Sequence, residues 1–219
     1  MNRSLQVFKY VLADYVAALL AWFLFFCYRK IVVNPNIFQQ PEIIFTDTKL
    51  YIGLAIIPLL WLSFYVLIGT YRKVFRKGRL REFGITVLTT IIGVTVIFFS
   101  LILDDVIITN RNYLHFYFAL LILHLFFTAS FRLYLTSRTA YKIHHKLIGF
   151  NTIVVGSNGN AISIYKDIEN QEESSGNNFV GFVNAQTYKT YKLGEFLPHL
   201  GELKDLHRIV TEYQVEEVI

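Results

Sequence analysis

A glycine turn, a basic loop and a few isolated acids are the parts of this 219-residue chain that can do chemistry. The turn is Gly156-Ser157-Asn158-Gly159-Asn160, and it follows the apolar, β-branched run Thr152-Ile153-Val154-Val155. Glycine ahead of a helix lets backbone N–H groups approach a phosphate, and the helix N-terminus adds positive partial charge. A dinucleotide fingerprint asks for glycine at three places. Gly156 fills the first, but Asn158 stands at the second and Ala161 at the third. The next apolar run ends near Asn184 without an acid for a ribose hydroxyl. Two readings stand: Gly156, Asn158 and Gly159 cradle a phosphate, or the glycines serve the turn alone.

The basic loop holds Arg72, Lys73, Arg76, Lys77, Arg79 and Arg81 against a single Glu82. Between apolar segments such a run is a topology signal. It also attracts anionic lipid head groups, at about 1 kcal/mol per basic residue. Both roles are compatible. Asp14 lies about a turn inside the first apolar run, where an acid must face water or another helix. His124, central in the fourth run, reads as a neutral interhelical hydrogen-bonder. Glu216 and Glu217 are neighbours on a strand and point to opposite faces, so they do not form a catalytic pair. Glu172 and Glu173 fall in a polar loop. Cys27 is the only cysteine, which excludes a disulfide or a thiolate cluster within the chain.

What positions these groups follows from composition. Hydrophobic residues make up 54% of the chain and charged ones 17%, against about 25% in a soluble protein. Residues 1–150 hold 16 basic and 6 acidic side chains, whereas residues 151–219 hold 5 and 10. The positive charge sits between greasy segments and not on a soluble face, so no nucleic-acid partner is expected. Four apolar runs, approximately 7–28, 50–69, 83–103 and 113–135, reach the roughly 20 residues that cross a bilayer as helix. Lipid offers the backbone no hydrogen bonds, so helix is expected even in the β-branched third run. Pro58 marks a potential kink in the second. No cleavage site follows the first run, which is therefore expected to remain as an anchor. The loops and ends on one side carry twelve basic residues, including Arg132, Arg138, Lys142 and Lys146, and the other side carries four. That asymmetry predicts both termini in the cytoplasm.

Beyond Phe150 the pattern changes to strand, tight turn and helix (161–170), then a second strand over 179–183, a helix over 201–213 and the start of a third strand at 215–219. The expected fold is an α-helical membrane bundle of four transmembrane helices (residues 1–149) followed by a partial α/β Rossmann-like module (150–219). A parallel sheet needs both faces covered, so a module ending on a strand just begun reads as unfinished.

Four membrane helices, a Gly69-Thr70-Tyr71-Arg72 exit with its basic loop, and then Thr152-Ile-Val-Val-Gly-Ser-Asn-Gly-Asn-Ala161 occur here in a recognisable order. In that order the chain resembles, over its whole length, the N-terminal part of the large bacterial polyprenyl-phosphate sugar-1-phosphate transferases. The stretch from Thr152 to Asn184 is most similar to the Bacteroidetes type. The resemblance implies a multi-pass protein of the bacterial inner membrane that meets the lipid bilayer, undecaprenyl phosphate and further copies of itself. It also implies that the catalytic domain, with its Mg2+ and Asp-Glu pair, is absent from this chain, which is expected to hold no cofactor and to be inactive by itself. Two alternatives remain. Membrane-bound nucleotide-sugar dehydratases and epimerases share a similar helical start but require an intact glycine fingerprint and a Tyr-x-x-x-Lys; a non-catalytic scaffold requires neither.

Overall fold

A computed structural model describes residues 3–33, 42–72, 74–102, 110–184 and 191–219. Two compact units divide at Arg138/Thr139. The first contains α1 (Arg3–Val33), the short α2 (Glu42–Thr46), α3 (Thr48–Leu67), α4 (Arg79–Ile102) and most of α5 (Asn110–His144). Segments of α1, α3, α4 and α5 are long and apolar enough to cross a membrane, as the four apolar runs predict. Lipid as solvent overrides β-propensity in α4, where buried Thr86, Thr89 and Thr90 sit on an unbroken helix. Pro58 is likewise carried inside α3.

Between helices in lipid, close backbone approach substitutes for the hydrophobic drive available in water. Ala17, Ala18 and Ala21 are buried on α1 beside Trp22, whose indole lies against Gly53 of α3, where no Cβ fits. One layer on, Trp61 of α3 occupies the space a side chain at Gly93 of α4 would need. Trp61 also stacks on His124 of α5, with ring centroids 3.7 Å apart. Two large rings opposite two glycines thus set the helix spacing. At the far end Asp47 caps α3 by accepting from the Lys49 N–H at 2.9 Å and pairs with Lys30 of α1. That contact with Lys30 holds the Asp47 carboxyl below its ordinary pKa.

The second unit holds the end of α5, β1 (Phe150–Val155), α6 (Gly159–Glu169), β2 (Asn177–Asn184), β3 (His199–Glu202), α7 (Leu206–Glu212) and β4 (Glu217–Val218). The strands are parallel in the order β3-β2-β1-β4. Val154 and Phe182 pack with Ala161 of α6 on one face, while Ile153 and Val183 pack with Ile209 of α7 on the other. This is the doubly wound arrangement expected of the tail.

Two details correct the sequence reading. The segment 201–213 is not one helix: β3 precedes a 3-10 turn (Leu203–Asp205), and α7 starts only at Leu206. The strand at the chain end is consequently the fourth and not the third. A four-residue strand is too short for an alternation signal, and it forms because β2 offers it an edge. Gly181 makes the register work. The β1–β2 pairing slips one residue between Thr152 and Ile153, and a Cβ on Gly181 would meet Leu200 Cγ at 2.5 Å.

Candidate functional sites

Functional side chains gather in two places, one in each unit. In the membrane unit the Gly69-Thr70-Tyr71-Arg72 exit ends α3 in a Schellman motif. Gly69 takes φ +76°, its N–H reaches the Val66 carbonyl at 3.0 Å, and the Thr70 N–H reaches the Tyr65 carbonyl at 3.0 Å. The sharp reversal sends the Tyr71 hydroxyl back into the bundle, where it donates to Asp14 Oδ2 at 2.7 Å. Burial, reinforced by that carboxylate, holds the Tyr71 hydroxyl well above its ordinary pKa.

Asp14 is fully buried and faces another helix. Arg132 of α5 grips it with two bonds, Nε to Oδ1 at 2.7 Å and Nη2 to Oδ2 at 2.8 Å. Arg132 also lies over the Tyr65 ring at 4.0 Å and has Glu82 Oε1 at 3.8 Å. The sequence reading counted Arg132 among the cytoplasmic loop charges. The structure instead buries it completely, because Asp14, Thr86 and Glu82 give the guanidinium partners inside the bundle. A signal was present: Arg132 falls inside the fourth apolar run, and a cation there needs an acid. His124 does bond between helices, with Tyr65 Oη 2.9 Å from Nε2.

The basic loop folds over this end of the bundle. Lys77 bonds Glu82 Oε1 at 2.8 Å and lies over the Tyr10 ring at 4.5 Å. Burial depresses the Lys77 pKa, and Glu82 opposes the shift. Arg72, Arg76, Lys77 and Arg81 line one cavity of about 270 Å³ between the end of α3 and the start of α4. Arg79 begins α4 outside that lining, and Lys73 lies outside the described residues. Thr70, which the sequence did not single out, also lines the cavity.

In the α/β unit, Gly156 takes φ +121°, and its N–H reaches the Val183 carbonyl at 2.8 Å. Asn158 is the N-cap of α6, its side chain accepting from the Ala161 N–H at 3.0 Å. That leaves the Gly159 and Asn160 N–H groups as the donors of the first turn without a partner among the described residues. Among the described residues nothing stands within 4 Å of where a Cβ would be built on Gly156 or Gly159. Gly156, Asn158 and Gly159 therefore share one turn at the carboxyl end of β1. Asn184 ends β2 beside it, 2% exposed, and neither atom of its amide has a partner among the described residues. Its signal in sequence was the missing acid itself, since an amide stands at the end of β2. A second cavity, of about 540 Å³, opens at the opposite edge of the sheet between Gly149, Glu169, Asn177 and Phe179. Ligands of doubly wound sheets sit at the carboxyl edge, with the glycine turn.

Of the acidic pairs, Glu217 accepts from Asn177 Nδ2 at 2.9 Å, and Glu173 lies 3.3 Å from His144 Nδ1. No group of three His, Cys, Asp or Glu able to hold a metal occurs among the described residues.

Comparison with curated proteins finds no match. A family model described as a CoA-binding domain matches residues 66–219, from the end of α3 through α4, α5 and the whole α/β unit. This domain is found in the N-terminal regions of polyprenyl-phosphate sugar transferases. With 154 of its 219 residues matched, the chain belongs to the CoA-binding domain family.

Proposed function

We propose that this chain is the membrane-anchoring and accessory region of an undecaprenyl-phosphate sugar-1-phosphate transferase, seated in a bacterial inner membrane with both ends cytoplasmic. The observation that carries the reading is the continuity of the family match. It runs from the end of α3 through the basic loop, two helices long and apolar enough to cross a membrane, and the parallel sheet. The helices hold the enzyme where a lipid phosphate lies, and the basic loop meets anionic head groups there. The α/β unit, and contacts between copies of the chain, serve assembly or regulation. Chemistry belongs to a catalytic domain, with its Mg2+, that residues 1–219 do not supply. Deleting codons 3–144 from the chromosome is expected to remove a diphosphate-linked sugar from lipid extracts, read by mass spectrometry. An unchanged lipid profile would refute the assignment.

A second reading concerns the α/β unit alone: that it holds a nucleotide-containing ligand of the class its family description prints. Asn184 favours it. A buried amide with neither atom paired among the described residues costs about 1–3 kcal/mol, a cost that a ligand hydroxyl or ring nitrogen removes. The Gly159 and Asn160 N–H groups suit a phosphate oxygen in the same ligand. Titration calorimetry of the detergent-solubilised chain with CoA is expected to give saturable heat that Asn184→Leu reduces at least ten-fold in affinity. Equal binding by the variant, or no heat from either protein, would remove this reading.

A further inference from the structure

Beside the glycine turn, the carboxyl edge of the sheet has a second wall. It is a 3-10 turn, Lys192–Glu195, which lies between β2 and β3 in the chain. Apolar contacts seat it. Leu193, and Leu197 just beyond the turn, are buried with Val154, Phe182 and Ala161 on the α6 face of the sheet. Tyr191, directly before the turn, stacks on His199 of β3 with ring centroids 4.6 Å apart. The Leu193 N–H donates to Ser157 Oγ at 3.4 Å, so the peptide joining Lys192 to Leu193 abuts the glycine turn.

Three polar side chains converge there. Ser157 is buried, and while its oxygen takes the Leu193 N–H, its own proton has no acceptor among the described residues. Asn184 lies on the same face. Side chains alternate along a strand; Phe182 packs with α6 and Val183 with α7, so Asn184 returns to the α6 side. Both atoms of its buried amide lack a partner among the described residues. Lys192 is exposed, and no ion pair engages it among the described residues. Glu195 eclipses it three positions on, as a 3-10 turn requires, but the two make no ion pair. Charge decides what these groups suit. Each phosphate of a diphosphate ester brings one negative charge, whereas the N-terminus of α6 supplies roughly half a positive one. Asn158 has already taken the Ala161 N–H. The glycine turn alone therefore suits one phosphate, and a second needs a cation.

We propose that Lys192 is a specificity-determining residue of this site and selects a diphosphate over a monophosphate. The Gly159 and Asn160 N–H groups hold one phosphate, and the Ser157 hydroxyl and the Lys192 ammonium take the adjoining one. Lysine suits the task, because its flexible four-carbon stem brings a compact charge to the ligand from an exposed position. Side-chain donors from outside the fingerprint thus replace the close backbone approach that Asn158, standing where a glycine is asked for, does not give. The inference rests on the ligand reading of the α/β unit and specifies which part of the ligand that unit discriminates.

Titration calorimetry of the detergent-solubilised full chain tests it with CoA, ADP and AMP as probes. The unsubstituted chain is expected to bind CoA and ADP at least ten-fold tighter than AMP. Lys192→Gln is expected to weaken ADP at least ten-fold and AMP less than two-fold, so that the two become nearly equal. Lys192→Arg keeps the charge and is expected to keep the preference for ADP. Lys204→Gln removes a cation elsewhere in the same unit, one held by Glu202 at 2.8 Å, and is expected to change neither affinity. Equal weakening of ADP and AMP in Lys192→Gln would make the lysine a general attractor of anions and overturn the proposal. Undiminished ADP binding by that variant would also overturn it, as would loss of the preference in Lys192→Arg with its melting temperature unchanged. The ligand reading is scored separately. CoA binding that falls in Asn184→Leu but not in Lys192→Gln would keep that reading and remove this inference alone, whereas no CoA binding by the unsubstituted chain would remove both.

Discussion

Arg132→Met will cost the membrane unit about 3–5 kcal/mol, whereas Asp14→Leu combined with Arg132→Met will cost far less than either change alone. The reason is asymmetry. The pair is completely buried, and its two short bonds offset the desolvation of both charges only while both charges are present. Removing the guanidinium strands a carboxylate whose remaining donor among the described residues is the Tyr71 hydroxyl. Removing both partners leaves apolar groups of similar volume and neither charge of the pair stranded, and Glu82 keeps its bond to Lys77. Equilibrium unfolding in mixed micelles, run as a double-mutant cycle, reads the coupling directly. Additive losses would mean that the ion pair is not the clamp between α1 and α5. The Tyr71 bond ties the α3–α4 turn to Asp14, so hydrogen exchange of residues 69–72 is expected to quicken in Asp14→Leu and in the double variant, both of which remove its acceptor.

Gly53→Ala is expected to destabilise the same unit by about 1–3 kcal/mol, an effect out of proportion to one methyl group. The added Cβ would fall inside the Trp22 indole, and the nearest atoms belong to a rigid ring that cannot bend away. Relief requires α1 and α3 to part along the face formed by Ala18, Trp22, Leu50 and Ile57. Trp22→Leu in the Gly53→Ala background is expected to restore part of the loss, because a smaller side chain vacates the volume the methyl needs. Melting temperatures of the single and double variants in detergent check both statements. A harmless Gly53→Ala would show that Trp22 rotates freely and does not set the helix spacing.

Legibility differed between the two units for a physical reason. In the membrane unit, lipid is a solvent that acts on each segment independently. Length and hydropathy therefore located the spans at residues 7–28, 50–69, 83–103 and 113–135 without knowledge of their neighbours. The same independence hid what lies between helices. Gly53 and Gly93 read as ordinary small residues, because nothing local announces the tryptophan that faces each. Arg132 read as loop charge because its acid lies 118 positions earlier in the chain. In the α/β unit, β1, α6 and β2 were readable from an apolar run, a glycine turn followed by apolar residues at helical spacing, and a second apolar run. Strand β3 was not, since its four residues pair only because β2 is already in place.

Taken alone, then, the sequence determined that four segments enter lipid and that a strand–glycine turn–helix unit follows them. Both are local consequences of hydropathy, turn-forming glycine and backbone hydrogen bonding. Tertiary structure alone decided that Asp14 meets Arg132, that Thr70 joins four cations around one cavity, and that Asn184 is buried beside the glycine turn. Each of those juxtapositions depends on where separate elements come to rest. Distance along the chain carries no record of that.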